Sequence, residues 1–143
     1  MEIKYKKLSP NAILPTSGSA AAAGYDLYAC LDEPVMIEPH TTAKIPTGLA
    51  FELPRDYFAG LYARSGLATK QGLRPANCTG ICDSDYRGEY IVALYNDSNT
   101  TRVVNHGDRI AQMILQKFAP MSFKEAELTD TDRGEGGFGS TGK

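Results

Sequence analysis

Apolar residues in this chain fall in short runs that alternate with polar positions or are cut off by Pro, Gly, Asn and Asp. The clearest are AKIPTGLAFELP (43–54), FAGLYAR (58–64), YIVALYN (90–96) and RIAQMILQKF (109–118). None sustains a 3.6-residue apolar stripe for three turns, so the pattern predicts β-strands. GYDLYA (24–29) is also an alternating strand, in which Asp26 faces one side and its neighbours Tyr25 and Leu27 the other. The segment GICDSDYRGEY reads as a hairpin, with one strand ending near Asp83, a turn over Ser84–Gly88 and a second strand from Tyr90. One short helix is expected through GLATKQG, with Ser65 as N-cap and Gly72 as the stop. Many short strands and a single helical turn or two imply an all-β sandwich, jelly roll or barrel. After about Glu127 the composition turns polar and glycine-rich, which divides the chain into a β domain, 1–127, and an arm, 128–143.

At 143 residues the chain is long enough for one self-sufficient core, burying roughly 68–70% of its unfolded surface. The net charge of −2 gives no electrostatic footprint for nucleic acid or a membrane surface, so a small anionic ligand would need local cations. No apolar run approaches a membrane span, and MEIKYKKLSP lacks the apolar stretch of a signal peptide, so a cytoplasmic protein is expected. Cys30, Cys78 and Cys82 are an odd number for a disulfide framework, and His40 and His106 have no zinc-like spacing to them. Reduced thiols and no zinc are expected.

Five stretches carry candidate chemistry. Asp83 and Asp85 sit two apart, so on an extended chain they share a face; either serves a turn, or one of them, partly desolvated beside Tyr86, deprotonates water. Arg64 and Ser65 stand where a strand hands over to a helix N-terminus, which is both a capping position and an anion site. Asp26 on a mostly buried strand needs a partner, which the hydration shell of a magnesium ion would supply. Gln112 interrupts an apolar run, as a satisfied inward amide or as a ligand contact. The terminal RGEGGFGSTGK contains a G-x-x-x-x-G-K spacing from Gly137 to Lys143, but the preceding LTDTDRGE is polar where a phosphate-binding P-loop requires a strand. Its cations, hydroxyls and single ring suit a tail that closes over a phosphorylated aromatic ligand.

Taken in order, GYDLYA, ARSGLA, GICDSDYRGE, GDRIAQMIL and RGEGGFGSTG resemble the five motifs of the trimeric dUTP pyrophosphatases, the dUTPase family. The resemblance runs from about Gly18 to the end of the chain. It implies a distorted jelly-roll or β-clip-like barrel, a homotrimer with active sites at subunit interfaces, and Mg²⁺-dependent hydrolysis of dUTP to dUMP and pyrophosphate. Such an activity limits uracil incorporation into DNA and supplies dUMP for thymidylate synthesis. By the same resemblance Asp83 is the general base, Asp26 meets the metal through water, and Arg64, Ser65, Gly66 and Gln112 bind phosphate. Tyr86 packs against the sugar where a 2′-hydroxyl would sit, and Asn77 and Gly80 lie near the uracil. Phe138 stacks on the base while Arg133, Gly139, Ser140 and Thr141 belong to the lid over the phosphates. Cys82 stands where an aliphatic residue is commoner in the family, and it fills the same small apolar space. A dCTP deaminase of the same superfamily, alone or bifunctional, and a non-catalytic nucleotide-binding regulator are the alternatives; the intact RSGLA, DSDYRGE and tail motifs favour the plain dUTPase.

Overall fold

The structure, a computed structural model, describes residues 1–137; Phe138, Gly139, Ser140 and Thr141 lie outside the described residues. In chain order the strands are β1 (Lys4–Lys7), β2 (Thr16–Ser17), β3 (Tyr25–Tyr28), β4 (Val35–Ile37), β5 (Thr42–Pro46), β6 (Leu49–Glu52) and β7 (Tyr57–Tyr62), then the helix α1 (Ser65–Gln71), then β8 (Leu73–Pro75), β9 (Gly80–Cys82), β10 (Ile91–Asn96), β11 (Arg102–Val104) and β12 (Arg109–Lys117). A five-stranded sheet has the order β2-β3-β12-β7-β9 and a three-stranded sheet the order β5-β10-β8, with β1-β6 and β4-β11 as separate pairs. All these pairings are antiparallel. No sheet of the described residues closes on itself, so the expected barrel is a jelly-roll envelope of separate sheets around one core. Leu27, Ile45, Leu49, Ala59, Leu94 and Ala111 are wholly buried in it. Burying each of the larger side chains stabilises the fold by about 1.5–3 kcal/mol.

The run 43–54 becomes two strands rather than one. Gly48, at φ 68°, turns the chain between β5 and β6, and a Cβ there would lie 2.9 Å from both Ala12 Cβ and Cys30 Sγ. Only glycine meets both the left-handed backbone and that close approach. The two strands then join different sheets. Helix α1 ends as expected, with Gly72 at φ 70° and its N–H donating to the Ala68 carbonyl. Its start differs from expectation: Arg64, in extended conformation, occupies the N-cap and no side chain caps the helix, so Ser65 is the first helical residue. The predicted hairpin over residues 80–90 is also not formed. β9 pairs with β7 and β10 with β5 and β8, so Asp83–Tyr90 is a crossing between two sheets. Alternation of apolar residues marks both strands but carries no information about which partner each one takes.

Candidate functional site

The sequence-predicted residues gather in two places. The first is the outer face of β3 and β12. Leu27 turns into the core and Asp26 therefore faces out, where its side chain is only 18% exposed. Its Oδ1 accepts a hydrogen bond from Arg64 Nε at 2.8 Å and its Oδ2 one from Arg109 Nη1 at 3.1 Å. The partner expected for this half-buried carboxylate is thus a pair of guanidiniums, which satisfies it without requiring a metal. One carboxylate between two cations leaves a net positive charge on this face. Arg64 and Arg109 also border a hollow of about 230 Å³. Beside them Ser65 and Gly66 are exposed at the start of α1, and a Cβ on Gly66 would meet nothing within 4 Å. No side chain caps the helix start, so its first N–H groups can receive an anion.

Gln112 stands directly across from Asp26 in the β3–β12 register. Its Nε2 donates to the Ala63 carbonyl at 2.9 Å, and its Oε1 lies over Gly24, where a Cβ would come within 2.7 Å of it. One amide hydrogen is therefore spent on the backbone that leads into Arg64.

Arg109 is a member of this face that sequence reading missed. Three residues from Gln112, it would occupy the opposite face of a regular strand. The β12–β3 register shifts between Arg109 and Ala111, so that Arg109 faces Tyr28 while Gln112 faces Asp26. This bulge buries both Ile110 and Ala111 and brings Arg109 and Gln112 to one side. Two consecutive apolar residues between an Arg and a Gln were the available signal.

The second place is a pocket of about 250 Å³ bordered by Asn77, Gly80, Asp83, Tyr86 and Tyr90. Gly80 fits against β7, where a Cβ would meet Leu61 Cβ at 3.2 Å and Asn77 Nδ2 at 3.5 Å. Asp83 and Tyr86 belong to one turn, closed by the Tyr86 N–H donating to the Asp83 carbonyl at 3.2 Å. Asp83 is exposed within the single chain, not partly desolvated as expected. Beneath it burial pushes the Cys82 thiol up to about 11, and burial also raises the Tyr90 phenol. Tyr90 is fully buried, and its Oη is a buried polar atom without a hydrogen-bonding partner among the described residues. Neither Tyr90 nor Glu89, whose carboxylate accepts from the Gly48 N–H at 2.7 Å, was singled out from the sequence.

The two places are far apart. Cys82 pairs with Ala59 and Gly80 with Leu61, which sets Asp83 beside the start of β7 while Arg64 follows its end. Six residues of extended chain separate those positions by about 20 Å. Arg133 joins neither place; its Nε donates to the Gly136 carbonyl at 2.8 Å within a local turn.

These features have close counterparts. The dUTPase family model matches residues 10–142. The deoxyuridine 5′-triphosphate nucleotidohydrolase of Leptospira interrogans (serovar copenhageni) is 41% identical, with 99% of each chain covered. That of Desulfitobacterium hafniense is 49% identical over 99% of this chain and 95% of the relative. Among solved structures, a mutant dUTPase of Staphylococcus bacteriophage 80alpha with dUpNHpp superposes with a TM-score of 0.87 at 27% identity, covering 99% of both chains. A mutant dUTPase from phage phi11 of S. aureus, described as revealing the coordination of a structural Mg(II) ion, gives 0.82 at 25% identity, over 92% of this chain and 100% of the other. With the fold, the ordered motifs and relatives over the full length in agreement, this chain belongs to the dUTPase family.

Proposed function

We propose that this enzyme hydrolyses dUTP to dUMP and pyrophosphate in the cytoplasm, limiting uracil incorporation into DNA and supplying dUMP for thymidylate synthesis. The observation that carries the reading is the convergence of Asn77, Gly80, Asp83 and Tyr86 on one pocket bordered by a carboxylate. Asn77 and the Gly80 backbone offer polar groups to the uracil, Tyr86 packs against the deoxyribose, and Asp83 takes the proton of a water. That water's oxygen attacks the α-phosphorus, the bond from it to the bridging oxygen of the β-phosphate breaks, and pyrophosphate leaves. Arg64, Ser65, Gly66, Gln112 and Arg109 form the phosphate-binding face, and the arm with Arg133, Phe138, Gly139, Ser140 and Thr141 closes over the nucleotide.

Mg²⁺ fits this arrangement through water. Each Asp26 oxygen accepts one arginine hydrogen bond, which leaves lone pairs for metal-bound water. The described residues contain no cluster of three or more His, Cys, Asp and Glu side chains, so the ion's direct ligands would be phosphate oxygens and water. When bound, the ion neutralises charge on the triphosphate.

The separation of the two places bears on assembly. A base must lie within about one water of the atom it serves, yet Asp83 and Arg64 of one chain are at opposite ends of β7. A closed homotrimer brings Asp83 of one copy to the phosphate face of another and makes three equivalent interface sites.

The reading is tested by pyrophosphate release from dUTP, dTTP, dCTP and UTP, with ammonia release from dCTP measured alongside. Hydrolysis of dUTP alone is expected, and Asp83→Asn should lower its turnover by about 10²–10⁴ while nucleotide affinity is retained. Near-normal turnover by Asp83→Asn, or ammonia from dCTP, would overturn it.

A further inference from the structure

Gly88 is not required by its own backbone. The left-handed φ values among the described glycines occur at Gly48, Gly72, Gly107 and Gly134, so alanine fits the main chain at 88. What a side chain there would meet is Tyr86. A Cβ on Gly88 would lie against Tyr86 Oη, 2.5 Å from Cζ and 2.8 Å from Cε2. Carbon atoms pack at about 3.5–4.0 Å, so the ring would have to leave by roughly 1 Å.

Two other groups define the same pose. Tyr86 Oη donates to the Glu89 carbonyl at 3.0 Å, and the Glu89 carboxylate is itself tethered to the Gly48 N–H. The Tyr90 ring, fully buried and edge-on to Phe51 at 4.7 Å, stands 6.2 Å from the Tyr86 ring at a tilt of 31°. Tyr86 is 45% exposed, yet it forms one wall of the pocket that holds Asp83.

The geometry points to Gly88 as a positioning residue for sugar specificity: its empty side-chain position seats the Tyr86 ring, and that seat sets the discrimination against a ribose 2′-hydroxyl. The inference rests on Tyr86 being the sugar gate. A merely hydrophobic site rejects an analogue with one added hydroxyl by only about 10², so stronger discrimination depends on the occluding ring holding its place. Gly88 acts only through Tyr86, so the two positions should be energetically coupled.

The test is a cycle of Tyr86→Ala, Gly88→Ala and the double variant, each measured for kcat and KM with dUTP and with UTP. Gly88→Ala should lower the ratio of kcat/KM for dUTP over UTP by about tenfold or more. On the Tyr86→Ala background the same substitution should leave the ratio unchanged, because the ring it displaces is gone. If Tyr86→Ala alone leaves the ratio at its wild-type value, the gate and its seat both fall. If Tyr86→Ala lowers the ratio and Gly88→Ala does not, the gate stands and the seat is refuted. An equal effect of Gly88→Ala with and without the ring also refutes it. Should Gly88→Ala fail to fold, the double variant, which lacks the clash, should fold; a misfolded double variant would assign the glycine to the backbone and overturn the proposal.

Discussion

Replacing Asp26 by Asn changes no volume but removes the one negative charge between Arg64 and Arg109. The two ion pairs differ in environment. The Arg64 side chain is 26% exposed, whereas that of Arg109 is 53% exposed, and Asp26 itself is 18% exposed. A charge-assisted hydrogen bond in a mostly buried setting contributes about 1.5–3 kcal/mol, and an exposed pair about 0.2–1 kcal/mol. The amide keeps one acceptor oxygen but turns its NH₂ towards a guanidinium, so the loss should be about 2–3 kcal/mol. With an unfolding entropy of about 2.1 cal/mol/K per residue, 143 residues give roughly 0.3 kcal/mol/K. The melting temperature should therefore fall by about 8 °C in a calorimetric scan. Glu52→Gln provides the internal control, since Lys4 and Glu52 are 76% and 48% exposed and pair at 3.2 Å. Its loss should stay below about 2 °C and should vanish in 1 M salt, which screens exposed pairs most. An Asp26→Asn protein that melts within 2 °C of the wild type, or that matches Glu52→Gln, would refute the assignment of Asp26 as the anchor of this face.

Gly24→Ala would place a Cβ 2.7 Å from Gln112 Oε1 and push the amide off the Ala63 carbonyl; KM for dUTP should rise several-fold, and an unchanged KM would remove Gln112 from the phosphate face. A chain cut after Asp132 keeps every core residue, the last of which is Ala111. It should fold but be nearly inactive; with the arm of one copy closing over a site whose Asp83 belongs to another, refolding it together with full-length Asp83→Asn should restore partial activity, whereas inactive hybrids of verified composition would place arm and base on the same copy. Cys82 is held by burial at about 11 against an ordinary 9.0, so its thiol should resist iodoacetamide at pH 8 while exposed Cys78 reacts. Because the fold favours the neutral Cys82 thiol, the stability linked to it is full below pH 9 and declines as pH rises from 9 towards 11. Labelling of Cys82 as fast as Cys78 at pH 8, seen by mass spectrometry of the digested protein, would contradict that placement.

The linear order of residues was enough to establish the all-β class, the helix stop at Gly72, the position of most long strands and the five motifs that place the chain in its family. These are local properties. Period-two alternation states which residues share a face, glycine marks where a chain can turn left-handed, and a motif is a spacing. The family resemblance that those motifs carry also brought Asp83, Tyr86, Asn77 and Gly80 into one hypothesis, and the structure puts all four around one pocket.

What required the tertiary structure is everything that depends on a partner distant in sequence. The two strands either side of Asp83–Tyr90 look like a hairpin because alternation is blind to pairing, and only the packed sheets send β9 to β7 and β10 to β5. Arg109 enters the phosphate face because β12 is one residue out of step with β3, a register shift that exists only between two strands 80 residues apart in the chain. Burial of Asp26 on its strand called for a partner, and the hydration shell of a magnesium ion was the expected one; the Arg64 and Arg109 guanidiniums found there arrive from two other elements. The seat of Tyr86 on Gly88 is local in sequence yet equally hidden, because a missing side chain has no pattern until the ring that fills its place is in position. A sequence lists which groups are available, and pairings between elements distant in the chain decide which of them meet.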